Sequence, residues 1–185
     1  MLPLGHMGIG RRLVAPWTRD VPVWAVLVGT LVPDLIDKPV YYTLCWLTGR
    51  QGLALGLISS TRTFGHTLLL TLLVLALGRW RKFPVLVALG FGMLSHLVLD
   101  TIDDGMTTLL GPGYDTGPIP GIAAVLWPLL GVQFPIAMSP TLAVYAHRSL
   151  SPVNIAGEIA GGILLFLDWR AFRRRHRPVS ASTTG

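Results

Sequence analysis

Residues 63–100 read TFGHTLLLTLLVLALGRWRKFPVLVALGFGMLSHLVLD, and this stretch decides the fold. Two runs within it, 63–78 and 83–99, contain no Lys, Arg, Asp or Glu. A helix needs about 20 apolar residues to cross the ~30 Å hydrocarbon core of a bilayer, and each run reaches that length once its ends snorkel. Gly78-Arg79-Trp80-Arg81-Lys82 between them reads as a tight basic turn with an interfacial Trp. The pattern predicts an antiparallel transmembrane hairpin.

The whole chain agrees with that reading. Of its 185 residues 51% are hydrophobic but only 13% are charged, where a soluble domain carries about 25%. Mean hydropathy is +0.59. So few charged side chains cannot solvate the surface of a ~20 kDa globule, which excludes a disordered protein, a coiled coil and an ordinary soluble enzyme. The single Cys45 excludes an intramolecular disulfide framework and a Cys-rich zinc module. A net charge of +6 would suit nucleic acid, but the basic residues cluster beside apolar runs, as juxtamembrane Lys and Arg do. No nucleic-acid partner is expected; the lipid bilayer is.

Outside the hairpin the pattern is less regular. Residues 4–15 and 21–33 are each too short to span and are separated by a turn at 15–20. Arg11-Arg12 before an apolar stretch mimics a twin-Arg leader, but Pro33-Asp34 stands where a small-residue cleavage site belongs. The N-terminus is therefore expected to belong to the fold. Residues 119–146 are uncharged but hold Pro120, Pro128, Pro135 and Pro140, which predicts broken or re-entrant helix. Residues 153–169 predict a last helix, and 178–185 a disordered tail. The expectation is one all-α, membrane-embedded domain over 1–177, with about four to five apolar helices.

Counting Lys and Arg gives the same split for two topologies. If 21–33 crosses and 119–146 does not, 11 fall on the cytoplasmic side against 4. If 1–62 stays on one side and 119–146 crosses, the split is again 11 against 4. Either way the C-terminus is cytoplasmic.

Ionisable residues inside apolar segments are costly, so each is a functional candidate. His66 lies near the start of one hairpin helix; His96 and Asp100 lie at the end of the other, one turn apart on a shared face. Antiparallel pairing brings all three to one membrane face. Asp34 and Asp37 close the 21–33 segment and His6 opens the 4–15 segment, so if those two short helices form a hairpin, His6 and Asp34 also come to one level. Imidazole with carboxylate suits a divalent metal, with Zn²⁺ or Mn²⁺ leading and Fe²⁺ also compatible. Blander readings stand beside this one. His96 and Asp100 also make a structural hydrogen bond at this spacing, and Asp34 or Asp37 can cap a helix. Arg62 either snorkels or clamps an anion, and Asp103 and Asp104 read as solvated. His147 and His176 read as interfacial.

Four runs in order carry a resemblance: Gly5-His6; Val32-Pro33-Asp34-Leu35-Ile36-Asp37-Lys38-Pro39; Arg62-Thr63-Phe64-Gly65-His66-Thr67; and Leu94-Ser95-His96-Leu97-Val98-Leu99-Asp100. With Leu126-Trp127-Pro128-Leu129-Leu130 they resemble the YdjM-like family, bacterial and archaeal proteins described as membrane-bound, metal-dependent hydrolases. The commoner family pattern reads His-Arg-Gly-x-Thr-His-Ser. Here Thr61 stands at its first His, Thr63 and Gly65 also differ, and Lys38 replaces a further His in the acidic motif.

The resemblance implies a metal held by His6, Asp34, His66, His96 and Asp100. Such a metal lowers the pKa of bound water toward ~7 and polarises a phosphoryl or carbonyl oxygen. Asp37 or Asp34 would then serve as general base, and Arg62 would stabilise developing negative charge. A site at the membrane boundary points to an anionic or lipid-linked phosphoester in the inner membrane. The alternatives from other classes are an ion- or proton-binding transporter and a non-catalytic membrane module that recruits a partner.

Overall fold

The computed structural model describes residues 2–110, 121–134, 141, 143, 146 and 150–175. The N-terminal helix α1, Pro3–Val14, begins on a proline, whose missing N–H is not needed in a first turn. The long C-terminal helix, Pro152–Arg175, lies parallel to it and is labelled α7 below. Any Cβ at Gly8 would strike the backbone of Gly161, and one at Gly161 would strike the Leu4 carbonyl, so the two backbones touch. The Glu158 carboxylate accepts hydrogen bonds from the free N–H groups of Leu4 (3.0 Å) and Gly5 (2.7 Å) in the first turn of α1. At the other end Arg11 and Arg12 pair with Asp168.

This contact makes a prediction. A methyl at Gly161 must push α1 and α7 apart, whereas one at Gly162 meets only the Leu4 side chain at 3.9 Å. Both substitutions gain the same helical propensity. Gly161→Ala is expected to lower thermal stability in detergent by about 1–3 kcal/mol, and Gly162→Ala to leave it level or raise it. Equal melting of the two variants would show that the backbones do not meet.

The short helix α2, Val23–Gly29, packs on the helix α5, Pro84–Leu110, with Gly29 against Leu89 and Gly92 against Val26. Val14, Ala25, Val26 and Ala88 form a small apolar cluster there, joined by Val21 and Val85. Asp34 and Asp37 were expected to close the segment 21–33. They instead lie in the opening turns of a new helix, α3, Val32–Thr48. Pro33 suits a first turn, so the chain restarts there, and α3 runs past Pro39 to Gly49 at φ 66°.

The hairpin is present with shifted bounds. α4 covers Leu68–Trp80 and α5 covers Pro84–Leu110, pressed together where Gly78 meets Leu86 and Val87 and where Gly90 meets Leu75. Residues 63–67 do not belong to α4. Thr67 caps that helix by accepting from the Leu70 N–H, and Phe64–His66 form a separate 3-10 turn before it. In the proline-rich stretch α6, Ile122–Val125, is followed by turns to Phe134. Phe134 stacks on Trp127, and both meet Phe64 edge to face. The expected tail 178–185 and the remaining prolines of 119–146 lie outside the described residues.

Among the described residues, α5 alone has the length and apolarity to cross a bilayer unaided, over Pro84–Gly105; α4 is apolar but shorter. The four to five apolar helices expected are thus fewer at full length. The interior joins the apolar cluster to many polar side chains: His6, Thr30, Asp37, Thr63, His66, Thr71, Ser95 and His96 are all buried. The outer faces carry large apolar side chains, with Leu72 and Leu73 on α4 and Ile159 and Ile163 on α7 more than half exposed. Buried polar groups beneath broad exposed apolar faces suit a lipid surround.

Candidate metal centre

Asp37 organises the centre from one turn inside α3. Its Oδ2 accepts from the Thr63 N–H (2.7 Å), the His66 N–H (3.2 Å) and His66 Nδ1 (2.7 Å). Its Oδ1 accepts from Thr63 Oγ1 (2.8 Å) and the Gly65 N–H (2.9 Å). One buried carboxylate therefore ties the 63–66 turn to α3. A Cβ at Gly65 would lie 3.1 Å from that carboxylate and closer still to the Pro33 carbonyl, so glycine fits where threonine would not.

The tautomers follow from the partners. His96 Nδ1 lies 2.7 Å from the Thr30 carbonyl, which can only accept, so Nδ1 carries the hydrogen. His66 Nδ1 faces the Asp37 carboxylate and carries one for the same reason. In the neutral rings both Nε2 atoms are then left with lone pairs, and these point at each other across 3.2 Å. A cation held by both nitrogens, or a proton on one of them, accounts for so close an approach.

Two carboxylates complete the arrangement. Asp34 Oδ1 lies 3.5 Å from His66 Nε2 and 4.0 Å from His96 Nε2. Asp100 Oδ2 lies 3.6 Å and 3.5 Å from the same two nitrogens. Four ligands at ~2.1 Å from a tetrahedral ion stand ~3.4 Å apart. Five edges of this tetrahedron measure 3.2–4.0 Å. His6 stacks on the His96 ring with centroids 4.0 Å apart, and its Nε2 lies 3.4 Å from the other Asp100 oxygen. Two overlapping groups, His6/His96/Asp100 and Asp34/His66/His96, each keep their donor atoms within 4.8 Å of one another.

The charges also suit a cation. Lys38 pairs with Asp34 at 2.5 Å, and Arg62 reaches Asp100 Oδ2 at 3.0 Å and pairs with Asp104 through its other Nη. Burial alone would lower the Arg62 pKa, but Asp100 and then Asp104 raise it above its ordinary value, so the guanidinium stays charged. Four carboxylates, Asp34, Asp37, Asp100 and Asp104, outnumber the cations Lys38 and Arg62 beside them, and both the donor set and its spacing suit a divalent cation.

The structure thus gathers His6, Asp34, Asp37, Arg62, His66, His96 and Asp100 in one place. It also uses residues that the sequence reading passed over. Asp104, read as solvated, holds Arg62, and Gly121 packs on that pair so closely that a Cβ would collide with it. Asp104 lies one turn beyond Asp100, and that spacing was the available signal. The Thr30 carbonyl and Thr63 had no signal in the sequence.

An all-α protein with an apolar coat, a membrane-length helix and a buried His/Asp cage is a membrane protein with a candidate metal centre. The description of the YdjM inner membrane protein family matches residues 1–174, and the chain belongs to that family. No curated protein and no solved structure matches the chain.

Proposed function

We propose that the protein is a membrane-embedded, metal-dependent hydrolase. The observation that carries this reading is the convergence of His66 Nε2, His96 Nε2, Asp34 Oδ1 and Asp100 Oδ2, with both Nδ1 atoms already committed elsewhere. A divalent ion there, zinc or manganese by donor type, would supply a water acidified toward neutral pH and a Lewis acid for a phosphoryl or carbonyl oxygen.

The chain's own groups divide the remaining work. Asp37 and the Thr30 carbonyl fix the two imidazoles in the ligating tautomer, as outer partners of metal-bound histidines do. Asp37 is therefore assigned to positioning rather than to the general-base role given to it from sequence, because both its oxygens are filled by donors. His6 steadies Asp100 from behind and offers a buried Nδ1 without a hydrogen-bond partner among the described residues. Arg62 bridges Asp100 and Asp104. With Asp34, His66, His96 and Asp100 as the residues that would hold a cation, the Arg62 Nη facing Asp100 would be placed to pair with an anionic substrate oxygen, while Asp104 anchors the other Nη. The substrate is a phosphoester or similar anionic ester, in a lipid-linked molecule by location.

The test is metal content and turnover together. Detergent-purified protein is expected to hold about one divalent ion per chain and to hydrolyse a chromogenic phosphodiester. His96→Ala, which removes a nitrogen common to both donor groups, is expected to lose both properties. Metal-dependent flux in liposomes without turnover would favour transport instead, and a metal-free wild type would end the reading.

A further inference from the structure

The folded chain sorts its basic residues to one end, although the sequence left two topologies level. Arg11 and Arg12 meet Asp168, which sets the start of the Arg170, Arg173 and Arg174 run beside the C-terminal end of α1. Val14 and Val21, on either side of Arg19, pack with Val85 and Ala88 at the start of α5, beside the Arg79-Trp80-Arg81-Lys82 turn. Seven described basic residues therefore share an end, Arg19, Arg79, Arg81, Lys82, Arg170, Arg173 and Arg174, and Arg11 and Arg12 lie between that end and the level of Ser95, against which Gly10 packs.

The candidate centre lies at the other end. His96 and Asp100 are 12 and 16 residues along α5 from Pro84, about 18 and 24 Å at 1.5 Å per residue. The stretch 30–66 starts and finishes there, and its Lys38 and Arg62 are ion-paired inside the centre. The centre also opens away from the basic end. Its partly exposed side chains include Arg62 (23%), Lys38 (22%), Asp34 (20%) and Asp104 (19%), while His96 and Ser95 below them are 0% exposed. Lys and Arg excess marks the cytoplasmic side, and this rule counts cations irrespective of acidic neighbours.

We propose that the centre opens to the non-cytoplasmic side of the membrane, so that metal, water and the ester to be cleaved reach it from that leaflet. The substrate part rests on the hydrolase reading; the sidedness does not.

The experiment places single thiols in a Cys45→Ser background. Gly105→Cys lies about 32 Å along α5 from Pro84, is exposed, and its Cβ meets nothing within 4 Å. Asp20→Cys is exposed at the basic end. A charged, membrane-impermeant maleimide is applied to right-side-out and inside-out membrane vesicles, with labelling in detergent as the reference. Gly105→Cys is expected to react at least tenfold faster in right-side-out vesicles, and Asp20→Cys at least tenfold faster in inside-out ones. The reverse pattern, or both thiols reacting from one side, overturns the proposal. A Gly105→Cys thiol that reacts only after detergent also overturns it, since the centre would then be closed to outside water. A wild type without metal would remove the hydrolase reading and leave the labelling result to decide sidedness alone.

Discussion

Asp100→Asn should leave the protein folded and strip it of metal. The amide keeps the shape of the carboxylate and keeps an oxygen toward His96 and Arg62, but it brings no charge to the centre. Outer-shell partners of metal ligands are worth about 10–100-fold in affinity, so loss of a charged ligand should exceed 100-fold. Metal present at about 100 times its Kd stabilises the wild type by about 2.7 kcal/mol. The same concentration should leave the melting of Asp100→Asn unmoved. Arg62 retains Asp104, so no buried cation is left without a partner and the metal-free variant should melt close to the metal-free wild type. If His96 and Asp100 form only a structural pair, metal content will not respond to the substitution. Unchanged metal content with unchanged or higher melting would sink the hydrolase reading.

How far the sequence could lead differs between these residues for physical reasons. His96 and Asp100 are one helical turn apart, and antiparallel pairing of two apolar runs is enough to bring His66 to them; local periodicity carries that much. The hairpin itself was legible because a charge-free run has few alternatives. The contacts of Asp37 were not legible because its partners, Thr63, Gly65 and His66, lie in a turn that resembles the start of a transmembrane helix in composition. Only the Thr67 cap separates that turn from α4. The joining of α1 to α7 depends on Gly8, Gly161, Glu158 and Asp168, which are about 150 residues apart and follow no shared period. Sidedness required the same long-range information, since Arg11 and Arg12 had to be placed beside α7 before the basic residues could be counted by end. The departures at Thr63 and Gly65 from the commoner family pattern have a local use: Thr63 donates its hydroxyl to Asp37, and Gly65 leaves room for that carboxylate.

Asp37→Asn should do what Asp100→Asn does not, and damage the fold together with the metal centre. Each Asp37 oxygen accepts from at least two donors, so either orientation of the amide turns an NH₂ group against two or more N–H or O–H groups. A buried donor left without an acceptor costs about 1–3 kcal/mol. The turn 63–66 would also lose its tie to α3, and His66 the acceptor that fixes its Nδ1 hydrogen. Metal affinity is expected to fall 10–100-fold and metal-free stability by about 3–5 kcal/mol. Thr63→Val removes only one of these donors and should cost about 1 kcal/mol with metal bound near normally. Melting and metal titration of the four proteins, wild type and three variants, then separate ligand from scaffold. If Asp37→Asn loses metal yet melts with the metal-free wild type, Asp37 is itself a ligand and the positioning role is wrong. If it melts low but binds metal as the wild type does, the orientation of His66 does not depend on Asp37, and the tautomer argument for the centre fails with it.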